Sequence, residues 1–153
     1  MGLAELLEKG GVYRKIAGNN PHAALTAFIK GLPNPAHFKE TLLKAVLERE
    51  ALMPTGIGNG IALPHPRNPV IADEAGQFAA LAFLEKKVNW NSLDGKPVDT
   101  LLLVVSASPK QHLKMISEIT FFGRQEDFLK LLKTGVPTEE LLLFIREAEK
   151  NWK

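Results

Sequence analysis

No cysteine occurs among the 153 residues. That excludes a disulfide framework, a cysteine nucleophile and a thiolate metal site, and it is compatible with a reducing compartment. No run of 18 apolar residues is present, and Met1 to Gly11 lacks the apolar core of a secretory signal, so the expectation is a soluble, cytoplasmic chain without membrane insertion. Charge of one sign is not in excess either. The net charge of +2 comes from well-mixed signs, which argues against a polyphosphate-binding surface and hence against nucleic acid as a partner. Internal repeats, low-complexity tracts and linkers are also missing. With 45% hydrophobic and 24% charged residues, the chain is expected to form one domain over 1–153, burying roughly two thirds of its unfolded surface. Residues 1–10 are expected as a peripheral N-terminal helix, or the remnant of something longer, ended by Gly10-Gly11.

Conformationally special residues concentrate in one stretch, Pro54 to Pro69, P-T-G-I-G-N-G-I-A-L-P-H-P-R-N-P. It holds four of the ten prolines and three of the twelve glycines. Glycine permits positive φ and close backbone approach, whereas proline fixes φ and removes an N–H donor. Leu63 and His65 each precede a proline, which pushes both towards extended backbone. Without N–H groups at 64 and 66 the segment cannot be a fully paired central strand, so His65 should sit at a strand end or on an edge, held firmly and open on one side. Asn59-Gly60 is a two-residue hairpin signal, which predicts a ribbon of Met53–Gly58 with Ile61–Leu63. An ordinary turn with a proline-rich exit would account for the same residues.

Elsewhere the pattern alternates helices with apolar runs. Asn20-Pro21 and Asn34-Pro35 are cap-plus-proline starts. The first precedes Leu25, Phe28, Ile29 and Leu32. The second precedes Phe38, Leu42, Ala45 and Val46, in a helix expected to reach about Glu50. Arg49 lies close to that core-facing stripe. Its head either satisfies the last helical carbonyls or emerges into a site as a bidentate anion ligand. Gln77–Glu85 and Val98–Ser106 are continuous apolar runs that suit interior strands covered on both faces. Asp94-Gly95 supplies the turn between them. Ser108-Pro109 opens a helix carrying Leu113, Ile116 and Ile119, so His112 falls in or near a first turn, where free N–H groups attract anions. A histidine there can equally be incidental. Glu126–Lys133 and Thr138–Glu149 read as amphipathic helices.

Several chemistries are then excluded. G-x-G-x-G at Gly56–Gly60 is neither a dinucleotide fingerprint nor a P-loop, no H-E-x-x-H occurs, and no G-x-S-x-G offers a serine elbow. Of the four histidines, His22 and His37 follow helix-initiating prolines on surfaces with no other special chemistry. His65 and His112 lack the acidic company of a metal site. No cofactor or metal is implied, and histidine as nucleophile remains.

Arg49-Glu50, then T-G-I-G-N-G-I-A-L-P-H from Thr55 to His65, and Q-H-L at Gln111 to Leu113 together resemble the enzyme IIA component of the bacterial phosphoenolpyruvate:sugar phosphotransferase system. The likeness is to the fructose/mannitol class, which includes a nitrogen-regulatory paralogue, and it spans roughly residues 10–150. G-G-V-Y-R-K-I-A-G-N at Gly10–Asn19 is more similar to the nitrogen-regulatory branch. The resemblance implies an α/β fold, a mixed β-sheet flanked by helices on both faces with a Gly/Pro-rich active-site loop. It also implies that His65 takes up a phosphoryl group from an HPr-like phosphocarrier protein, surrounded by Arg49 and His112. Onward partners would be a sugar-specific IIB component or a regulatory target protein; a non-transferring binding module of the same fold is the alternative. Pro66 departs from the family pattern of a small residue after the histidine, which removes one main-chain donor from any phosphoryl cradle.

The chemistry suits the residues independently. An imidazole titrates near pH 6.5 and is largely neutral and nucleophilic at cytoplasmic pH. In-line transfer from a phosphohistidine needs no metal where cationic or N–H groups compensate the equatorial oxygens.

Overall fold

The computed structural model describes residues 2–151. Its elements run α1 (Leu3–Gly10), β1 (Val12–Ile16), α2 (Pro21–Lys30), α3 (Ala36–Leu52), β2 (Gly56–Gly58), β3 (Ile61–Ala62), β4 (Phe78–Val88), β5 (Val98–Val105), α4 (Pro109–Gly123), α5 (Glu126–Lys133) and α6 (Thr138–Glu149). The five strands form one mixed sheet in the order β1-β4-β5-β3-β2. β1 runs parallel to β4 and β3 parallel to β5, while β4–β5 and β2–β3 are antiparallel pairs.

The two apolar runs become β4 and β5, and their lack of alternation has a direct cause. Ala79, Leu81, Leu102 and Val104 enter one core with residues of α1, α4, α5 and α6. Phe78, Ala80, Ala82, Leu101, Leu103 and Val105 enter a second core with α2 and α3. Side chains still alternate between faces with period two, but both faces are covered, so both sets must be apolar. Helices therefore flank the sheet on both sides, as expected.

Two local expectations need correction, and one element is new. The helix over residues 3–10 forms, but it is not peripheral. Leu3, Leu6 and Leu7 are almost wholly buried, and its N-terminus is held from two directions. Leu3 N–H donates to Glu118 of α4 at 2.8 Å, and Ala4 N–H donates to Glu149 of α6 at 3.0 Å. Two carboxylates thus occupy the positive end of the α1 dipole, an anion-favouring position. Asn34 does not cap α3: the cap position is Pro35 itself, with no side-chain acceptor. In the other two cap-plus-proline starts the device works, with Asn20 Oδ1 accepting from Ala23 N–H at 2.8 Å and Ser108 Oγ from Gln111 N–H at 3.2 Å. The new element is a strand: β1 occupies Val12–Ile16, beside β4.

Candidate functional site

The ribbon that carries His65 is built by its turn. Asn59 and Gly60 sit at φ 56° and 81°, the paired positive values of a tight hairpin turn, which suit asparagine and glycine. β2 and β3 pair across it, and β3 also pairs with β5. Regular pairing stops at Ala62, but the chain stays tethered: Leu63 N–H donates to Thr55 O at 3.0 Å and Val104 N–H donates to Pro64 O at 3.0 Å. Proline 64 thus supplies the acceptor it still has while lacking the donor. His65 stands just past a strand end, half-buried. Because β3 parallels β5, this is also the carboxyl end of β5, from which the chain turns into α4. Ligands of open α/β sheets collect at such ends.

α4 brings the second imidazole. His112 lies in its first turn, and the rings of His65 and His112 are tilted by 42° with centroids 4.5 Å apart. The third expected residue, Arg49, arrives from the last turn of α3. All three line one open cleft of ≈ 370 Å³, whose apolar wall includes Met53, Ile57 and Leu93. The two readings of Arg49 prove compatible: its guanidinium donates to Met53 O at 2.7 Å, just past the helix end, and it still borders the cleft. His22 and His37 are exposed, and neither lines this cleft.

The hydrogen bonding of His65 selects a tautomer. Nδ1 lies 2.9 Å from Leu63 O. A carbonyl only accepts, so Nδ1 carries the proton and Nε2 holds the in-plane lone pair. Burial lowers the proton affinity of His65 below the ordinary histidine value; the Leu63 bond opposes this, Arg49 adds to it and Glu50 opposes it more weakly. For His112, burial first, then His65 and Arg49, bring the pKa down to about 4. Both rings are consequently neutral at pH 7, and Arg49 is the resident cation. Such an arrangement can present one nucleophilic nitrogen beside a guanidinium and a second ring able to donate an N–H.

The position after His65 behaves as its sequence implies. Pro66 offers no N–H, and the next amide, Arg67 N–H, is engaged with Ala45 O of α3 at 3.1 Å. Neither is open to an incoming oxyanion. Among the described residues no group of three or more His, Asp or Glu side chains converges to hold a metal ion.

One residue was quoted in the sequence without a role. Glu50 accepts from Thr55 N–H at 2.8 Å, Thr55 Oγ1 at 2.7 Å and the Trp90 indole Nε1 at 3.0 Å. Its only sequence signal is its place after Arg49. The Trp90 partner is 40 residues away.

With this geometry in place, comparison decides the family. The family model of the phosphoenolpyruvate-dependent sugar phosphotransferase system, EIIA 2, matches residues 5–148. The chain belongs to that EIIA 2 family. This EIIA 2 chain is similar to the nitrogen regulatory protein of Pseudomonas aeruginosa, 34% identical over 110 residues that cover 71% of this chain and 69% of the relative. Its fold is shared with nitrogen regulatory protein IIA-Ntr from Neisseria meningitidis, at a TM-score of 0.72 and 19% identity, covering 93% of this chain and 97% of that one. It is shared too with the Escherichia coli structure described as a complex of enzyme IIAMtl and phosphorylated enzyme IIBMtl, at a TM-score of 0.62 and 18% identity over 87% of this chain and 94% of that one. Among the described residues of this EIIA 2 chain no helix is long and apolar enough to cross a membrane.

Proposed function

We propose that the protein is a phosphohistidine carrier in which Nε2 of His65 accepts a phosphoryl group from an HPr-like phosphocarrier protein. The observation that carries this reading is the Nδ1–H bond from His65 to Leu63 O at 2.9 Å. It fixes the ring, selects the tautomer and leaves Nε2 as the nucleophile in a cleft shared with Arg49 and His112.

In the step, the Nε2 lone pair forms the new N–P bond as the donor's N–P bond breaks, and the donor imidazole leaves with its electron pair. Charge on the three equatorial oxygens is met by the Arg49 guanidinium and by an N–H of His112. The transition state is loose, so positioning and charge compensation carry the catalysis. Burial helps by keeping His65 unprotonated. The phosphoryl group then passes to a IIB component or, in a nitrogen-regulatory role, acts as a displayed signal; the cytoplasm is the compartment of both. The regulatory role is favoured by the likeness to the Pseudomonas aeruginosa nitrogen regulatory protein.

Incubation with phosphoenolpyruvate, enzyme I and HPr tests the reading. An acid-labile adduct of one phosphoryl mass is expected on the wild type and none on His65→Ala. Transfer onward to a sugar-specific IIB in the same tube separates transport from regulation. A folded wild type that takes up no phosphoryl group would leave only the non-transferring binding module.

A further inference from the structure

The carboxylate of Glu50 is oddly occupied for a charge at the rim of a phosphoryl site. It has about four lone-pair positions, and three are taken by Thr55 N–H, Thr55 Oγ1 and Trp90 Nε1. None goes to the neighbouring Arg49, whose guanidinium turns to Met53 O. Consecutive helical residues do not face one another, and here they reach different segments. Glu50 grips the start of the ribbon and the β4–β5 connection. Arg49 grips the helix exit.

We infer that Glu50 is a positioning residue for the transfer: its carboxylate clamps Thr55 and Trp90, fixing the wall of the cleft formed by residues 53–57 while leaving Arg49 without an acidic partner. This rests on the phosphocarrier reading above. Three consequences of the geometry support it. First, Thr55 is the residue whose carbonyl receives Leu63 N–H, so Glu50 is linked through Thr55 to Leu63, whose own carbonyl orients His65. The chain Glu50–Thr55–Leu63–His65 is continuous in hydrogen bonds. Second, Thr55 and Trp90 are both buried, Trp90 to 1% exposure, so the donors of the clamp are shielded from competing water. Third, among the described residues Arg49 forms no ion pair. Glu50, occupied by Thr55 and Trp90, offers no carboxylate oxygen to the guanidinium that a phosphoryl group would use.

Glutamine is a clean probe of this role. Its carbonyl can take the Oε2 place, accepting from Thr55 N–H and Trp90 Nε1, while its amide donates to Thr55 Oγ1, whose hydroxyl turns to accept. The clamp survives and the charge goes. The charged groups acting on His65 are Arg49 and Glu50 from α3, and the titratable ring of His112 from α4 packs against it. Glu50 is the member that raises the proton affinity of His65, so its neutralisation should displace the acid limb of the rate profile to lower pH.

The experiment is single-turnover transfer from phosphorylated HPr as a function of pH, with tryptophan emission recorded on the same variants in a Trp152→Phe background, where Trp90 is the sole emitter. Glu50→Gln is expected to transfer within about threefold of wild type at pH 7.5, with its acid limb moved down. Glu50→Ala is expected to lose tenfold or more, with altered Trp90 emission. Thr55→Val, which deletes only the hydroxyl link, should fall between them and keeps the inference testable should Glu50→Ala not fold. A folded Glu50→Ala or Thr55→Val transferring at the wild-type rate overturns the inference while leaving the phosphocarrier reading intact. A Glu50→Gln as slow as Glu50→Ala overturns the clamp as the basis. Absence of transfer in the wild type defeats the phosphocarrier reading itself, and the inference with it.

Discussion

Loading a phosphoryl group onto His65 should raise the pKa of His112. In the resting protein that ring is held at about 4, by burial first and then by the positive influence of His65 and Arg49. A phosphoryl group changes the sign of the nearest charge. The ring centroids are 4.5 Å apart, so about −1.5 to −2 charges would sit roughly 5 Å from His112. With an effective dielectric of about 40–80 for this half-exposed pair, the attraction is about 1–3 kcal/mol. At about 1.4 kcal/mol per pH unit, the midpoint of His112 rises by about 1 to 2.5 pH units. The assay is histidine-ring NMR, correlating ring nitrogens with ring protons, titrated downward from pH 8 before and after loading from phosphorylated HPr. His112 should gain its proton at a clearly higher pH in the loaded form. A midpoint that stays put or falls would refute the reasoning, because it would mean that the phosphoryl group does not come to rest between the two rings.

Other consequences are as direct. Arg49→Gln should slow transfer about 10²-fold, by analogy with the loss of one oxyanion donor, while losing only about 1 kcal/mol of stability from the Met53 O bond; rapid-quench transfer and urea unfolding on the same sample separate the two. Stability should be at its plateau above about pH 6.5 and fall on acidification, because His65 and His112 have lowered folded pKa values and the unfolded chain binds those protons first. For His112 the change amounts to about 1–2 kcal/mol by pH 4 once its exposure is allowed for, and urea midpoints of His112→Ala should be flatter over that range. Glu118, whose pKa burial raises, acts with the opposite sign, so Glu118→Gln should steepen the acid loss. Gly56→Ala should destabilise by about 1–3 kcal/mol, since a Cβ there would lie 2.1 Å from Ser92 Oγ; thermal melts of the Gly56→Ala, Ser92→Gly double variant should recover part of it.

What could be read from the chain and what could not divide along physical lines. β4, β5 and the helices starting at Pro21 and Pro109 announced themselves through local chemistry, in apolar runs of strand length and caps that need only residues three apart. The hairpin turn was equally local, because Asn59 and Gly60 each tolerate positive φ. β1 was missed because Val12–Ile16 interrupts its apolar residues with exposed Arg14 and Lys15, and Lys15 sits at φ 55°, so no alternation is visible. α1 looked peripheral because its leucines find their cover on β4 and its terminus finds Glu118, 115 residues away. The three expected site residues do meet, though from three segments, and proline placement had fixed only one of them. Glu50 could not be read at all, since a carboxylate's value lies in which donors the fold brings to it, and Trp90 is one of those.

The most direct test of the account is the identity of the phosphorylated atom. Nitrogen-15 and phosphorus-31 NMR of the histidine-labelled, phosphorylated protein should show a single N–P bond at Nε2 of His65, with its Nδ1 still protonated towards Leu63 O. A phosphoryl group on Nδ1 of His65, or on His112, would contradict it.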